Sequence, residues 1–245
     1  MALKTVTFNF ETINKVRIRF DPKMVFTPSV FSRLLANNLI IKDQDIALDL
    51  CCGSGLLAIV AAKMGARKVF AVDINPHAVY TTSKNARLND VGNKVIAIEG
   101  HLYQPLGNRK FHLIFSNPPQ TPIFSHLEDR LDCIGRAIFA GLDGRKVIDE
   151  IIDNARNYLA YNPDGTQTGK LQLVTTSIID FDNTVNRLKM NGFDCNIVAT
   201  KRHLFRKEYY MVLPLINANL FVQDGGKFFE TIYVTCSHMV ELVSN

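Results

Sequence analysis

Ile46-Ala47-Leu48-Asp49-Leu50-Cys51-Cys52-Gly53-Ser54-Gly55, followed by the apolar run Leu56 to Met64, decides how this chain folds. A short apolar run broken only by one acid reads as a buried strand, the small residues after it as a tight loop, and the next run as a helix. Gly53 and Gly55 let the backbone approach a ligand closely, and the helix N-terminus behind them favours a negatively charged group. Val69-Phe70-Ala71-Val72-Asp73 is a second strand. Its terminal acid lies roughly 20 residues past the loop, the spacing at which a carboxylate grips the hydroxyls of a ribose. A glycine loop with a ribose acid implies a nucleoside-bearing cofactor.

Asn117-Pro118-Pro119 follows the apolar run Phe111-His112-Leu113-Ile114-Phe115. Proline lacks a backbone N–H, fixes its own φ and keeps the preceding residue out of the helical region, so the tripeptide is extended and stiff. The Asn117 side-chain oxygen and the Pro118 carbonyl are placed to accept the two hydrogens of an –NH2 group, which aims the nitrogen lone pair for an in-line transfer. A proline-rich turn that merely ends a strand is the plain alternative. Gly53-Ser54-Gly55-Leu56-Leu57-Ala58 also fits a dinucleotide fingerprint, so a nicotinamide-dependent oxidoreductase stands beside a transferase, and a non-catalytic binding module is the third class.

Taken in order, Leu48 to Gly55, Val72-Asp73-Ile74-Asn75-Pro76, Gly100-His101-Leu102-Tyr103-Gln104-Pro105-Leu106, Asn117-Pro118-Pro119 and Ala140-Gly141-Leu142-Asp143-Gly144 resemble the motifs of the class I S-adenosylmethionine-dependent methyltransferases. The likeness is to the branch that carries Asn-Pro-Pro-Tyr and methylates amide or exocyclic nitrogens, the release-factor glutamine methyltransferases in particular. It runs from about Val25 to about Ala199. It implies an α/β fold, a doubly wound, mostly parallel, seven-stranded Rossmann-like sheet, with strands beginning near Ile46, Val69, Val95, Phe111, Leu171, Phe193 and Phe229. It implies S-adenosyl-L-methionine as cofactor, contacted by Asp49, Cys51, Gly53, Gly55, Asp73, Ile74, His101, Leu102 and Asn117. Asn117 and Pro118 would be catalytic, and Pro119, Gln120 and Thr27 would meet the substrate, a planar or amino nitrogen of a protein, an RNA base or a small molecule.

Two positions depart from that pattern. His101 stands where the family commonly has an acid for the adenine amino group. Gln120 stands where the family has Tyr or Phe, so a hydrogen-bonding side chain replaces a stacking ring and allows a re-tuned, small-molecule substrate.

The 245 residues are 47% hydrophobic, which suits one α/β core, read as a hairpin-and-helix cap over 1–44 and a methyltransferase domain over 45–245. Val6-Phe8-Phe10 and Val16-Ile18-Phe20 alternate with polar residues as a hairpin does, Glu11 to Asn14 turning between them, with Lys15, Arg17 and Arg19 on the other face. Thr27-Pro28 suits a helix start that flanks the substrate mouth. Thr121 to Arg145 is polar and suits a lid, with Asp129, Asp132 and Asp143 as caps or surface charges rather than a metal site. Asn162-Pro163-Asp164-Gly165 marks a turn, and Tyr209 to Phe221 an apolar insertion serving as core helix, dimer contact or pocket wall.

Five cysteines without a C-x-x-C pair suggest reduced thiols, with Cys51 and Cys52 as small loop and core residues. Apolar stretches too short to span a bilayer and the lack of a signal-peptide pattern make the expected location cytoplasmic, without a membrane partner. The net charge of +5 permits an acidic or nucleic-acid partner, and Lys201-Arg202-His203 with Arg206-Lys207 reads as a solvated loop or a phosphate contact.

Overall fold

Apolar runs without strict alternation must be covered on both faces, which places them in the middle of a parallel sheet flanked by helices. In the computed structural model, which describes residues 3–13, 15–162 and 168–240, they lie there. β1 (Lys4–Phe8) and β2 (Val16–Phe20) form a hairpin, and α1 (Val30–Asn37) precedes β3 (Ile46–Leu50). Then come α2 (Leu56–Lys63), β4 (Lys68–Asp73), α3 (Pro76–Leu88), β5 (Val95–Glu99) and β6 (Leu113–Ser116). Short helices α4 (Ser125–Glu128) and α5 (Cys133–Arg136) lead to α6 (Lys146–Ala155), β7 (Lys170–Thr176), α7 (Phe181–Met190) and β8 (Phe193–Leu204). α8 (Lys207–Met211), β9 (Val222–Asp224) and β10 (Lys227–Met239) complete the described chain.

The large sheet is ordered β5-β4-β3-β6-β7-β10-β8, with β9 paired to β10. β3 to β7 run parallel and β10 is antiparallel to both its neighbours. Strand order reverses at β3, which pairs with β4 on one side and β6 on the other. The carboxyl ends of these three strands therefore open on one crevice, the place where ligands bind in such sheets.

The seven expected strands are present, each starting within two residues of its expected position, and β9 is an eighth. β6 starts at Leu113 rather than Phe111 because Phe111 bonds outside the ladder, donating its N–H to the Tyr158 carbonyl and bridging Leu159. The helix expected from Thr27 starts at Val30, with Ser29 at its cap. Pro28 keeps Thr27 extended and exposed, and the Arg33 N–H returns to the Ser29 carbonyl. The hairpin turn lies partly outside the described residues at Asn14, and the turn at 162–165 lies outside them from residue 163 onward.

β2 buries Val16, Ile18 and Phe20 against Phe31 and Leu35 of α1 and the apolar face of α2. Its free edge would leave unpaired backbone groups. Two asparagines one turn apart, Asn85 on α3 and Asn89 at its C-cap, satisfy them: Arg17 N–H donates to Asn89 Oδ1 at 2.9 Å and Arg19 N–H to Asn85 Oδ1 at 2.9 Å, while Asn89 Nδ2 donates back to the Arg17 carbonyl at 2.7 Å. The other end of the Asn85 amide donates to the Ser54 carbonyl at 2.9 Å. One buried amide thus ties the hairpin to the glycine loop.

Asn85→Ala leaves the part-buried Arg19 N–H and the buried Ser54 carbonyl unmatched, at about 1–3 kcal/mol each, the former toward the lower end. Urea unfolding is expected to show a loss of about 2–4 kcal/mol with an unchanged m-value. A wild-type midpoint would contradict the tie.

Candidate active site

The two loop glycines have different reasons to be glycine. Gly53, at φ 55°, has nothing within 4 Å of where a Cβ would sit, so its bare Cα faces the open cleft. Gly55, at φ 83°, would place a Cβ 2.9 Å from the Thr82 side chain, so its close approach is to α3 rather than to a ligand. Thr82 Oγ1 donates to the Gly53 carbonyl at 3.1 Å and fixes the loop from behind. Cys51, at φ 60°, is a non-glycine residue in the left-handed region, a strain of about 1–2 kcal/mol held at the cleft wall. Burial pushes the Cys51 and Cys52 thiols well up, which keeps them protonated and unreactive.

Asp49 lies behind the loop, fully buried, and is not among the residues that line the cleft. Its Oδ2 accepts the Ala58 N–H at 3.0 Å, anchoring the first turn of α2, while Oδ1 has no partner. Burial raises its pKa well above the ordinary carboxylate range, the Ala58 N–H opposes this, and the nearby Asp73 charge adds to it.

Asp73, at the end of β4, lines the cleft; its Oδ2 accepts the Gly53 N–H at 2.8 Å and its Oδ1 the Asn75 N–H at 2.9 Å. Burial raises its pKa, partly offset by those backbone donors. Asn75 caps α3 by accepting the His77 N–H at 3.0 Å and donates Nδ2 to the Met24 carbonyl at 2.8 Å. Ile74, exposed, lines the cleft together with Gly100, His101 and Leu102. The His101 ring turns to Glu150, Nδ1 to Oε1 at 3.3 Å.

Leu50 and Ser116 are register partners, so Asn117 stands beside Cys51 at the crevice. Asn117 Nδ2 donates to Ser32 Oγ at 2.9 Å, which leaves its Oδ1 as the group it offers. The neighbouring positions line the cleft and also have partners of their own. Gln120 is 3% exposed, and its Nε2 donates to the Val174 carbonyl at 3.2 Å and to the Pro118 carbonyl at 3.3 Å. The Pro118 carbonyl is therefore already engaged inside the loop, and the Gln120 side chain reaches toward β7 instead of outward. Pro119 and Gln120 line the cleft, whereas the exposed Thr27 does not. The Gly141-to-Gly144 turn backs onto this loop: a Cβ on Gly144 would fall 2.8 Å from the Gln120 carbonyl oxygen.

The cleft measures about 740 Å³ and continues under the segment carrying α4 and α5, which contributes Ile138 and Phe139. That segment closes on itself: Thr121 N–H donates to the Ile138 carbonyl, and the Ala140 N–H to the Thr121 carbonyl. Asp132 caps α5 through the Gly135 N–H, and Asp143 accepts the Arg145 N–H, as expected of caps and turns.

Two cleft residues were not legible as such in the sequence. Ser32 is a polar residue in an otherwise apolar helix face. Arg206 sits in what reads as one basic cluster, yet the structure splits that cluster: Lys201, Arg202 and Lys207 are exposed while Arg206 turns inward to the cleft. The available signal was its place between Phe205 and Tyr209, which pack edge to face at 5.2 Å.

The profile of the ribosomal protein L11 methyltransferase (PrmA) family matches residues 9–163. The chain belongs to this family. A Methanocaldococcus jannaschii protein, provisionally named a protein N5-glutamine methyltransferase, is 33% identical over 208 residues, which cover 84% of this chain and 96% of that one. A ribosomal protein uL3 glutamine methyltransferase of Bradyrhizobium diazoefficiens is 34% identical over 122 residues, 48% of this chain and 38% of its own length. The structure of the E. cuniculi Mtq2–Trm112 complex, described as responsible for methylation of the eRF1 translation termination factor, shares the fold with a TM-score of 0.57 at 18% identity, covering 88% of this chain and 99% of that one. The methyltransferase resemblance drawn from the sequence therefore stands, and the nicotinamide alternative falls.

As a member of this methyltransferase family, the protein uses S-adenosyl-L-methionine. The bare Gly53 cradle fits that cofactor: a backbone without a Cβ faces the cleft next to a carboxylate and between apolar side chains. Gly53, Asp73, Ile74 and Leu102 would hold it.

Asp73→Ala is expected to weaken S-adenosylhomocysteine binding by about 1.5–3 kcal/mol, the worth of hydrogen bonds to a charged acceptor, as read by calorimetry. Because burial raises its pKa, wild-type affinity should fall as pH is lowered, beginning at a higher pH than for an exposed carboxylate, and Asp73→Asn should flatten that dependence. Asp49 gives a separate, opposite expectation. Its raised pKa makes it stabilising when protonated, and that contribution disappears as pH rises through the folded-state value. Asp49→Asn should therefore raise the melting temperature of unliganded protein more near pH 8 than near pH 5; a larger gain at acid pH would contradict the assignment.

Proposed function

We propose that the protein transfers a methyl group from S-adenosylmethionine to the side-chain carboxamide nitrogen of a glutamine in a protein substrate. The observation that carries this reading is the Asn117 amide, held by Ser32 so that an acceptor oxygen remains for the substrate beside the cofactor loop. The names of two relatives, one a protein N5-glutamine methyltransferase and one a uL3 glutamine methyltransferase, support the same nitrogen class.

Bound cofactor supplies an electrophilic methyl on sulfonium. The work of the chain is positional and electrostatic. Asn117 Oδ1 accepts one N–H of the target amide, fixes the direction of the nitrogen lone pair and stabilises the positive charge that develops on nitrogen. Ser32 keeps Asn117 in that orientation. With the Pro118 carbonyl shared with Gln120, Asn117 is the principal acceptor rather than one of an equal pair. Phe31 and Phe139, both at the cleft wall, offer apolar surface to a flat group, a part that Gln120 does not take. Closure by the α4–α5 segment excludes water and strengthens every polar contact inside. The methylated amide is acidic enough to release its extra proton to water, so no side chain needs to remove a proton beforehand.

Asn117→Ala should bind S-adenosylhomocysteine as wild type does while transferring labelled methyl to fractionated cell protein about a hundredfold more slowly or worse. A variant with near wild-type turnover makes Asn117 a turn residue only. Label that enters RNA and not protein from the wild-type enzyme overturns the protein substrate.

A further inference from the structure

Arg206 is a cation built into the wall of the cleft on the Asn117 side. Its guanidinium carbon lies 5.1 Å from the centroid of the Phe31 ring and 4.5 Å from that of Tyr209, and Phe31 precedes the Ser32 that orients Asn117. Nη2 is held by Thr121 Oγ1 at 3.1 Å and by the Tyr209 hydroxyl. Nε is buried without a partner, and Nη1 makes no hydrogen bond among the described residues. A stacked, clamped guanidinium short of acceptors at a substrate cleft is a docking point for an oxygen.

The surroundings decide which oxygen. The Tyr209 hydroxyl that accepts from Arg206 donates to Glu230 Oε2 at 3.2 Å. The Glu230 side chain is fully buried, accepts from Thr176 Oγ1 as well and lies 3.3 Å from His203 Nδ1. The counter-charge is therefore already inside the protein, one hydroxyl away. An incoming carboxylate or phosphate would meet that second negative charge, whereas a neutral carbonyl oxygen would not. An alkylammonium would meet the guanidinium itself.

We propose that Arg206 is a specificity-determining residue of the substrate site: Nη1–H donates to the carbonyl oxygen of the target carboxamide while Asn117 Oδ1 accepts its N–H, and the fixed charge turns away protonated amines. This rests on the amide reading above. It gives the cleft one donor and one acceptor for the two ends of a planar amide, which an amine substrate does not need.

The test uses full-length wild type, Arg206→Met and Arg206→Lys, each loaded with S-adenosylhomocysteine and titrated by amide NMR with N-acetylglutamine methylamide and N-acetyllysine methylamide. Both variants should bind the glutamine probe about tenfold more weakly or worse, in keeping with a lost hydrogen bond to a charged group, while the lysine probe binds as well or better. Unchanged S-adenosylhomocysteine affinity separates this from misfolding, and Arg206→Lys, which keeps charge and stem without the planar fork, carries the test if the methionine variant does not fold. Glutamine-probe affinity equal in wild type and variants overturns the role of Arg206 alone. Wild-type protein that prefers the lysine probe overturns the amide reading, whatever the variants do.

Discussion

The contact between the Asp73 carboxylate and the Gly53 N–H, 2.8 Å long, joins the ends of two neighbouring parallel strands. Everything at the crevice depends on it. β3 ends in a loop with three successive odd-numbered residues in left-handed conformation, Cys51, Gly53 and Gly55, a shape with little intrinsic preference to persist. Asp73 holds it from the side and Thr82 from behind, and both constraints come from the β4–α3 unit. The loop is thus preorganised by its sequence neighbour in the sheet, before any ligand arrives.

The N-terminal hairpin and α1 extend that logic to the substrate side. Asn85 couples the hairpin backbone to the loop, and Ser32 couples α1 to Asn117. Elements outside the parallel sheet therefore set the orientation of the groups that would meet the substrate. The C-terminal β8–β10 arm does the same from the opposite wall by carrying Arg206, Tyr209 and Glu230. The residues that would hold the cofactor, Gly53 to Leu102, come from one stretch of the chain, whereas the groups proposed to meet the substrate are gathered from α1, the Asn117 loop and the β8–β10 arm, so the substrate pocket can change while the cofactor loop stays fixed.

The sheet and the tight loop after β3 were legible in the sequence because they rest on local signals, although Asp49, expected at the cofactor, lies behind that loop. Buried parallel strands are written as short apolar runs, tight loops as small residues, and a helix cap as Asp132. What was not legible depends on direction in three dimensions. Asn85 and Asn89 look like solvated helix positions until β2 lies against them. Gln120, expected to meet the substrate, lines the cleft but has its amide nitrogen engaged by the Val174 and Pro118 carbonyls. Gly55 is required by a threonine 27 positions further along the chain, not by a ligand. Arg206 hides within a basic run whose other members face solvent.

The measurement closest to the central claim is the chemistry of the methylated product. Wild-type enzyme, labelled S-adenosylmethionine and fractionated cell protein are incubated together, and the labelled protein is then acid-hydrolysed. Methylation of a glutamine carboxamide predicts that hydrolysis releases the label as volatile methylamine and leaves unlabelled glutamate. Label retained on methyllysine or another stable methylated amino acid would contradict it.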